Sequence, residues 1–184
     1  MRRYYLAPSA TTAAAGESPA LDVLAQLMGG GNNSYLYRAL VIDRPLAVSA
    51  GASYQGTALD DTQFAISASP KPGVEFAQVE QAIDAVIAEV GQNAVSAEDL
   101  ERVKTQLIAA AIYAQDNQTS LARWYGAALT TGLSVDDVRS WPDRIRAVTA
   151  EQVRAAAQKW LDKNRSVTGY LIKDTTPKRE EKRS

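Results

Sequence analysis

The sequence predicts an α+β fold: a mixed four-stranded sheet with helices gathered mainly on one face, in the order β-α-α-β-β-α-α-α-α-α-β. Three observations carry that prediction. Runs rich in strand formers stand near both ends of the chain and as a pair in the middle, bounded by turn residues. The stretch from Val74 to Trp160 repeats apolar residues at steps of three and four, the spacing of one helix face. Three of its segments open on a hydroxyl residue followed three positions later by an acid or an amide: Ser96 with Asp99, Ser134 with Asp137, and Thr149 with Gln152. That is the spacing of a helix N-terminal capping box. Four strands with helices over one face suffice for a single domain of this length.

The elements follow in order. Arg3 to Ala7 is aromatic and apolar and reads as a strand that Pro8 ends. From Ser18 and Pro19, the spacing of Leu21, Leu24 and Leu27 is helical; Pro19 suits a first turn and Gly29 a stop. Asn32, Asn33 or Ser34 can cap a second helix, Tyr35 to Asp43, which Pro45 cannot continue. Leu46 to Tyr54 and Gln63 to Ser69 alternate as an antiparallel hairpin around a polar loop. Val79, Ile83, Val86 and Val90 then stripe a helix over Val74 to Val90, and Leu100, Val103, Leu107 and Ala111 stripe the next. A helix over Thr119 to Thr131 points Leu121, Trp124, Ala128 and Leu129 inward and stops at Gly132. Two more run toward Trp141 and through Val153, Ala157 and Trp160, and Ser166 to Ile172 returns to the sheet. The organisation expected is one domain over residues 1–173 and a charged tail over 174–184, with the N-terminal start reading as an excised piece of a longer chain.

Composition narrows the chemistry. Hydrophobic residues make up 46% of the 184 and charged residues 22%, enough for a core without metal or disulfide staples. A net charge of −1 lacks the broad positive field that nucleic acid requires. No apolar run approaches the roughly 20 residues that cross a bilayer. The chain has neither cysteine nor histidine. Thiol catalysis, thiolate metal sites and a Ser/His/Asp triad are therefore excluded, and a zinc site here would have to be built from carboxylates alone.

Individual candidates weigh toward structure. Gly29, Gly30 and Gly31 could cradle an anion, but a helix precedes them and no lysine follows, so a stop and a start between helices is the better reading. Asp60 and Asp61 lack a third ligand at suitable spacing and read as solvated turn residues. Tyr4, Tyr5, Tyr113, Trp124, Tyr125, Trp141 and Trp160 could line a pocket, but each sits where spacing predicts core or half-buried packing, and core is the better reading. The charge run Glu98, Asp99, Glu101, Arg102 reads as a solvated helix face. No acid–base pair emerges, so residue chemistry alone gives an α+β domain without a self-contained active site.

Longer stretches add a resemblance. "LAQLMGGGNNSYLYRALVIDRPLAVSAGASY", from Leu24 to Tyr54, resembles the C-terminal domain of the M16, pitrilysin-type (inverzincin) zinc peptidases, most closely the zinc-motif-bearing subunit of bacterial processing-peptidase-like enzymes. Gly29, Gly30, Gly31, Ser34, Leu36, Tyr37, Leu40, Leu46 and Ala47 fall in step with the family pattern. "AEDLERVKTQL", "IRAVTAEQVRAAAQKWL" and "SVTGYL" extend the likeness over nearly the whole chain. The resemblance implies a processing-peptidase/LuxS-like metallohydrolase domain, with Gly29, Gly30, Gly31, Ser34, Leu36, Tyr37 and Leu40 as residues of the substrate chamber or of the motif's own structure. Zinc would be held by a His-x-x-Glu-His motif in a preceding domain, and no cofactor by this chain.

The implied partners are that zinc-bearing domain, a homologous partner subunit or domain, and a peptide substrate held by strand addition on the zinc domain. The parent would be a zinc metalloendopeptidase and this chain alone not an enzyme. Where a complementary family member carries a substrate-clamping Arg and Tyr, this sequence has Val41 and Val48, which cannot donate to a developing oxyanion. Pro45 stands in place of the usual glycine. The expected role is therefore a non-catalytic domain that depends on a partner for the Arg/Tyr clamp. A structural subunit of the same fold without peptidase work is the alternative, and an unrelated α+β binding module a third reading. The compartment expected by resemblance is the bacterial periplasm or envelope.

Overall fold

A computed structural model describes residues 1–172. Strand β1 (Arg2–Ala7) leads to helix α1 (Glu17–Gly29) and a short α2 (Tyr35–Tyr37) that continues as a π-helical segment, Arg38–Asp43. The hairpin β2 (Ala47–Tyr54) and β3 (Thr62–Pro70) follows. Five helices come next: α3 (Phe76–Gln92), α4 (Ala97–Gln115), α5 (Gln118–Thr130), α6 (Val135–Ala147) and α7 (Ala150–Trp160). A 3₁₀ turn, Lys163–Arg165, delivers β4 (Ser166–Gly169). The α+β class and the order of elements are those the sequence predicts. The charged tail anticipated over 174–184 lies outside the described residues.

Two expectations are corrected. The sheet, in the order β2-β3-β1-β4, is antiparallel at every pairing rather than mixed. The five-helix excursion after β3 crosses to the far side of β1 and returns antiparallel to it, leaving one sheet face open as such sheets allow. The last strand also stops at Gly169, short of Ile172, because Gly169 pairs with Arg2 and β1 offers no partner beyond that point.

Alternation along the strands divides the faces. Arg3, Tyr5 and Ala7 of β1 and Phe64, Ile66 and Ala68 of β3 are buried beneath the helices, while Leu6, Gln63, Ser67 and Val167 look outward. Helix α1 occupies the centre of the helical layer and contributes Leu21, Leu24, Leu27 and Met28, all fully buried. Burying each such side chain is worth about 1.5–3 kcal/mol. Arg3 of β1, fully buried, is satisfied on every side. It donates to Glu80 (2.9 Å), Asp84, Thr168 (3.1 Å) and Tyr5 (3.3 Å), tying β1 to α3 and β4. Burial raises the Asp84 carboxyl, but hydrogen bonds from Lys163 and Arg3 outweigh it and hold that group below its usual range. A buried charge left without such partners would be costly, which is why the cluster is complete.

Candidate functional site

The glycine segment joins α1 to the sheet and to α2. A Cβ on Gly29 would stand 1.7 Å from the Ala52 backbone nitrogen, so the end of α1 lies directly on β2 and only glycine permits the approach. Gly31 has φ +100°, the left-handed turn that redirects the chain after the helix. The glycines thus do more than stop a helix, because one of them is the contact that seats α1 on the sheet. Ser34 occupies the N-cap position of α2, but its buried hydroxyl has no hydrogen-bond partner. Leu36 and Leu40 are fully buried in the core, and Tyr37 is half-buried.

Neighbouring Tyr35 donates to Asp99 at 3.1 Å, linking α2 to the first turn of α4. Burial, with the Asp99 carboxylate beside it, pushes the Tyr35 hydroxyl up to about 12. The Arg102 guanidinium holds Asp99 below its usual range, aided by Tyr35 and Ser96. The charge run at Glu98 to Arg102 is therefore more than a solvated face. Lys104, in the same helix, is buried and donates to Glu101 (2.9 Å) and to the Arg146 carbonyl (3.0 Å), where it caps the end of α6.

Val41 and Val48 both lie on irregular backbone. Val41 is half-buried against the core within the π-helical segment, where Arg44 N–H reaches back five residues to the Ala39 carbonyl. Pro45 explains the irregularity: it forces Arg44 out of the helical region (φ −124°, ψ 96°) and ends the turn. Val48 is 57% exposed, in a β-bulge where Ala47 pairs with Pro70 and Ser49 with Ser69, so that Val48 has no partner on β3. Bulges and π-turns of this kind commonly re-aim side chains near functional sites. Both side chains are nonetheless apolar, and neither can donate a hydrogen bond.

The other sequence candidates resolve simply. Asp60 caps the Asp61 N–H and Asp61 accepts from Thr12, as turn residues do. No group of three acidic or other metal-ligating residues converges among the described residues. With no histidine or cysteine in the chain, its donor set does not fit zinc. Among the aromatics, Tyr5 is core, whereas Tyr113 is 74% exposed at the end of α4, contrary to the packing its spacing suggests. Its helix runs past the core there, so the stripe has nothing left to cover.

Trp124 and Trp141 line a pocket, the reading the sequence sets second to core packing. Their rings meet edge to face, 6.1 Å apart, on the wall of a half-open cleft of about 470 Å³ between α1, α4, α5, α6 and the β2–β3 loop. Leu107, Ala111 and Leu133 supply much of the rest of its apolar lining. Asp22 stands in this cleft, its carboxylate accepting the Trp141 indole N–H at 3.0 Å. Burial pushes Asp22 up to about 6, against the opposing pull of the Trp141 hydrogen bond and the Arg144 charge. Its one sequence signal is an acid set between Leu21 and Val23 in the apolar stretch of α1.

The family profile described as the peptidase M16 inactive domain matches residues 4–107. The chain belongs to the M16 inactive-domain family. Solved structures agree on the fold. The inactive peptidase domain of a candidate zinc protease from Bordetella parapertussis superposes with a TM-score of 0.83 at 20% identity, over 98% of this chain and 93% of that one. A protease from Helicobacter pylori gives 0.81 at 18% identity, over 90% of this chain but only 38% of its own. A chain of complex III2 from Candida albicans gives 0.72 at 11% identity, over 90% of this chain and 41% of its own. No curated protein matches in sequence. Among the described residues, no helix is long and apolar enough to cross a membrane.

Proposed function

We propose that this M16 inactive domain is the non-catalytic C-terminal domain of a zinc metalloendopeptidase, helping to enclose peptide substrate and pairing with a partner that supplies an Arg/Tyr clamp. The observation that carries the reading is the segment from Gly29 to Val48. It combines the family's glycine junction with a π-helical turn and an edge-strand bulge, the two irregular positions a clamp would use, and fills both with valine. A site prepared in backbone but empty of donors fits a domain whose chemistry is provided elsewhere. Zinc would reside in a preceding domain, where metal polarisation of the scissile carbonyl and activation of water belong. The bacterial periplasm or envelope is the compartment proposed with it.

The likeness to a chain of complex III2 supports a second reading, a structural subunit of the same fold with no peptidase role. The coding sequence upstream of this chain separates the two: a His-x-x-Glu-His motif supports the peptidase reading, and its absence favours the structural one. The proposal also expects the 184-residue chain to bind no stoichiometric zinc and to hydrolyse no peptide. Joint Val41→Arg and Val48→Tyr replacement should leave a parent inactive when its partner is deleted. Recovery of hydrolysis would show that the chamber closes on a second copy of the parent.

A further inference from the structure

The cleft around Trp124 and Trp141 has no part in the reading above. Its volume of about 470 Å³ lies within the range of ligand sites, which are typically mostly apolar with a few convergent polar groups. Besides the indole N–H of Trp141 and the side chains of Ser18, Gln55 and Thr57, the lining holds the charged groups Asp22, Asp137 and Arg144. Arg144, the one basic residue of the lining, is held chiefly by Asp137: its guanidinium donates to the Asp137 carbonyl at 2.5 Å and stands 3.6 Å from the Asp137 carboxylate, while its charge also acts on Asp22 and its Nε has no hydrogen-bond partner. Glu17, at the start of α1 and outside the cleft, is paired with Lys159, and the Tyr54 hydroxyl is occupied by the Pro8 carbonyl and Ser18. With Asp22 and Asp137 against Arg144, the lining carries a net charge of −1 when Asp22 is ionised.

We propose that this cleft takes the side chain of a lysine or arginine presented by a peptide segment, its aliphatic stem against Trp124, Leu107 and Ala111 and its cationic end on Asp22. An aliphatic stem suits the apolar walls, and a cation beside indole faces gains further attraction. The half-open mouth suits a side chain projecting from a chain that runs across it. A cation seated on Asp22 favours its ionised form, so binding is linked to proton release from that carboxyl. Affinity therefore falls as the pH drops through about 6, the value to which burial raises Asp22. A purely apolar occupant gives the opposite trend, because it disfavours the charge.

The test is a titration of the 184-residue chain with acetyl-Ala-Leu-Lys-Leu-Ala-amide and its norleucine counterpart, followed by the indole N–H resonances of Trp124 and Trp141. The lysine peptide should shift both resonances at pH 7.5 and bind at least about tenfold more tightly than the norleucine peptide, as a charge-assisted hydrogen bond implies. At pH 5 its affinity should fall. Asp22→Asn should bring the two peptides to within about twofold of each other. Ala111→Phe, which narrows the cleft from α4, should block both and gives a test independent of Asp22. Equal binding of the two peptides, tighter binding at pH 5, undiminished lysine-peptide binding by Ala111→Phe, or no shift at millimolar peptide would each overturn the proposal. n-Pentylamine shifting the resonances where the lysine peptide does not would overturn the assignment to a peptide.

Discussion

Helices α1 and α5 are each 13 residues long and both show helical apolar spacing, yet nine residues of α1 are buried and only Ala128 of α5 is. The first lies on the sheet and is surrounded by α4, α6 and α7; the second packs mainly on α4 and α6 at the edge of the domain. Periodicity says that a face is to be covered, and the rest of the molecule decides what covers it. On α1 the answer is a closed core. On α5 it is a cleft, and Leu129 beside it remains 51% exposed.

The largest expected effect lies where α1 meets the sheet. Gly29→Ala should destabilise the chain in urea by more than about 3 kcal/mol, because the added carbon meets backbone that has no rotamer to move. A small effect would mean that α1 is not seated on β2. Next comes a direct contrast between the two helices: Leu24→Ala should cost about 3 kcal/mol and Trp124→Ala about 1.5 kcal/mol, since the latter side chain is only half-buried and leaves no closed cavity. Equal costs would make α5 part of the core.

A third expectation concerns pH. Asp22 has its folded-state value raised from 3.8 to about 6, so the folded chain binds the extra proton between those limits. Stability contributed by that proton is full below pH 3.8 and is lost as pH rises through about 6. Thermal melts of Asp22→Asn should lack this fall between pH 4.5 and 7.5 and lie above wild type at the upper end. An unchanged slope would show that the carboxyl is better hydrated than its apolar surroundings indicate. Smallest of all, Tyr113→Ser at the exposed end of α4 should stay within about 0.5 kcal/mol of wild type.

The same contrast explains what could be read from the sequence. Element order was legible because local signals agree with the fold: the hydroxyls of Ser96, Ser134 and Thr149 each accept the predicted backbone N–H, and Gly132 takes a positive φ after α5. The π-helical turn and the bulge were not, because they depend on how Pro45 meets the register of β3. Gly29 could be recognised as a stop, but its close approach requires knowing that Ala52 lies opposite. The Val41 and Val48 positions came from resemblance, since two valines carry no chemical signal of their own. Asp22 was not legible, because an acid between Leu21 and Val23 acquires meaning only when Trp141, 119 residues away, closes over it.

The central claim is that this domain serves a catalytic centre it does not contain. It is tested most directly by assaying the intact parent and a version lacking this chain for zinc content and for hydrolysis of a quenched fluorescent peptide, both in the presence of the partner. The account predicts that deletion leaves one zinc per molecule bound and abolishes hydrolysis. Undiminished hydrolysis after deletion, or zinc bound by the 184-residue chain alone, would contradict it.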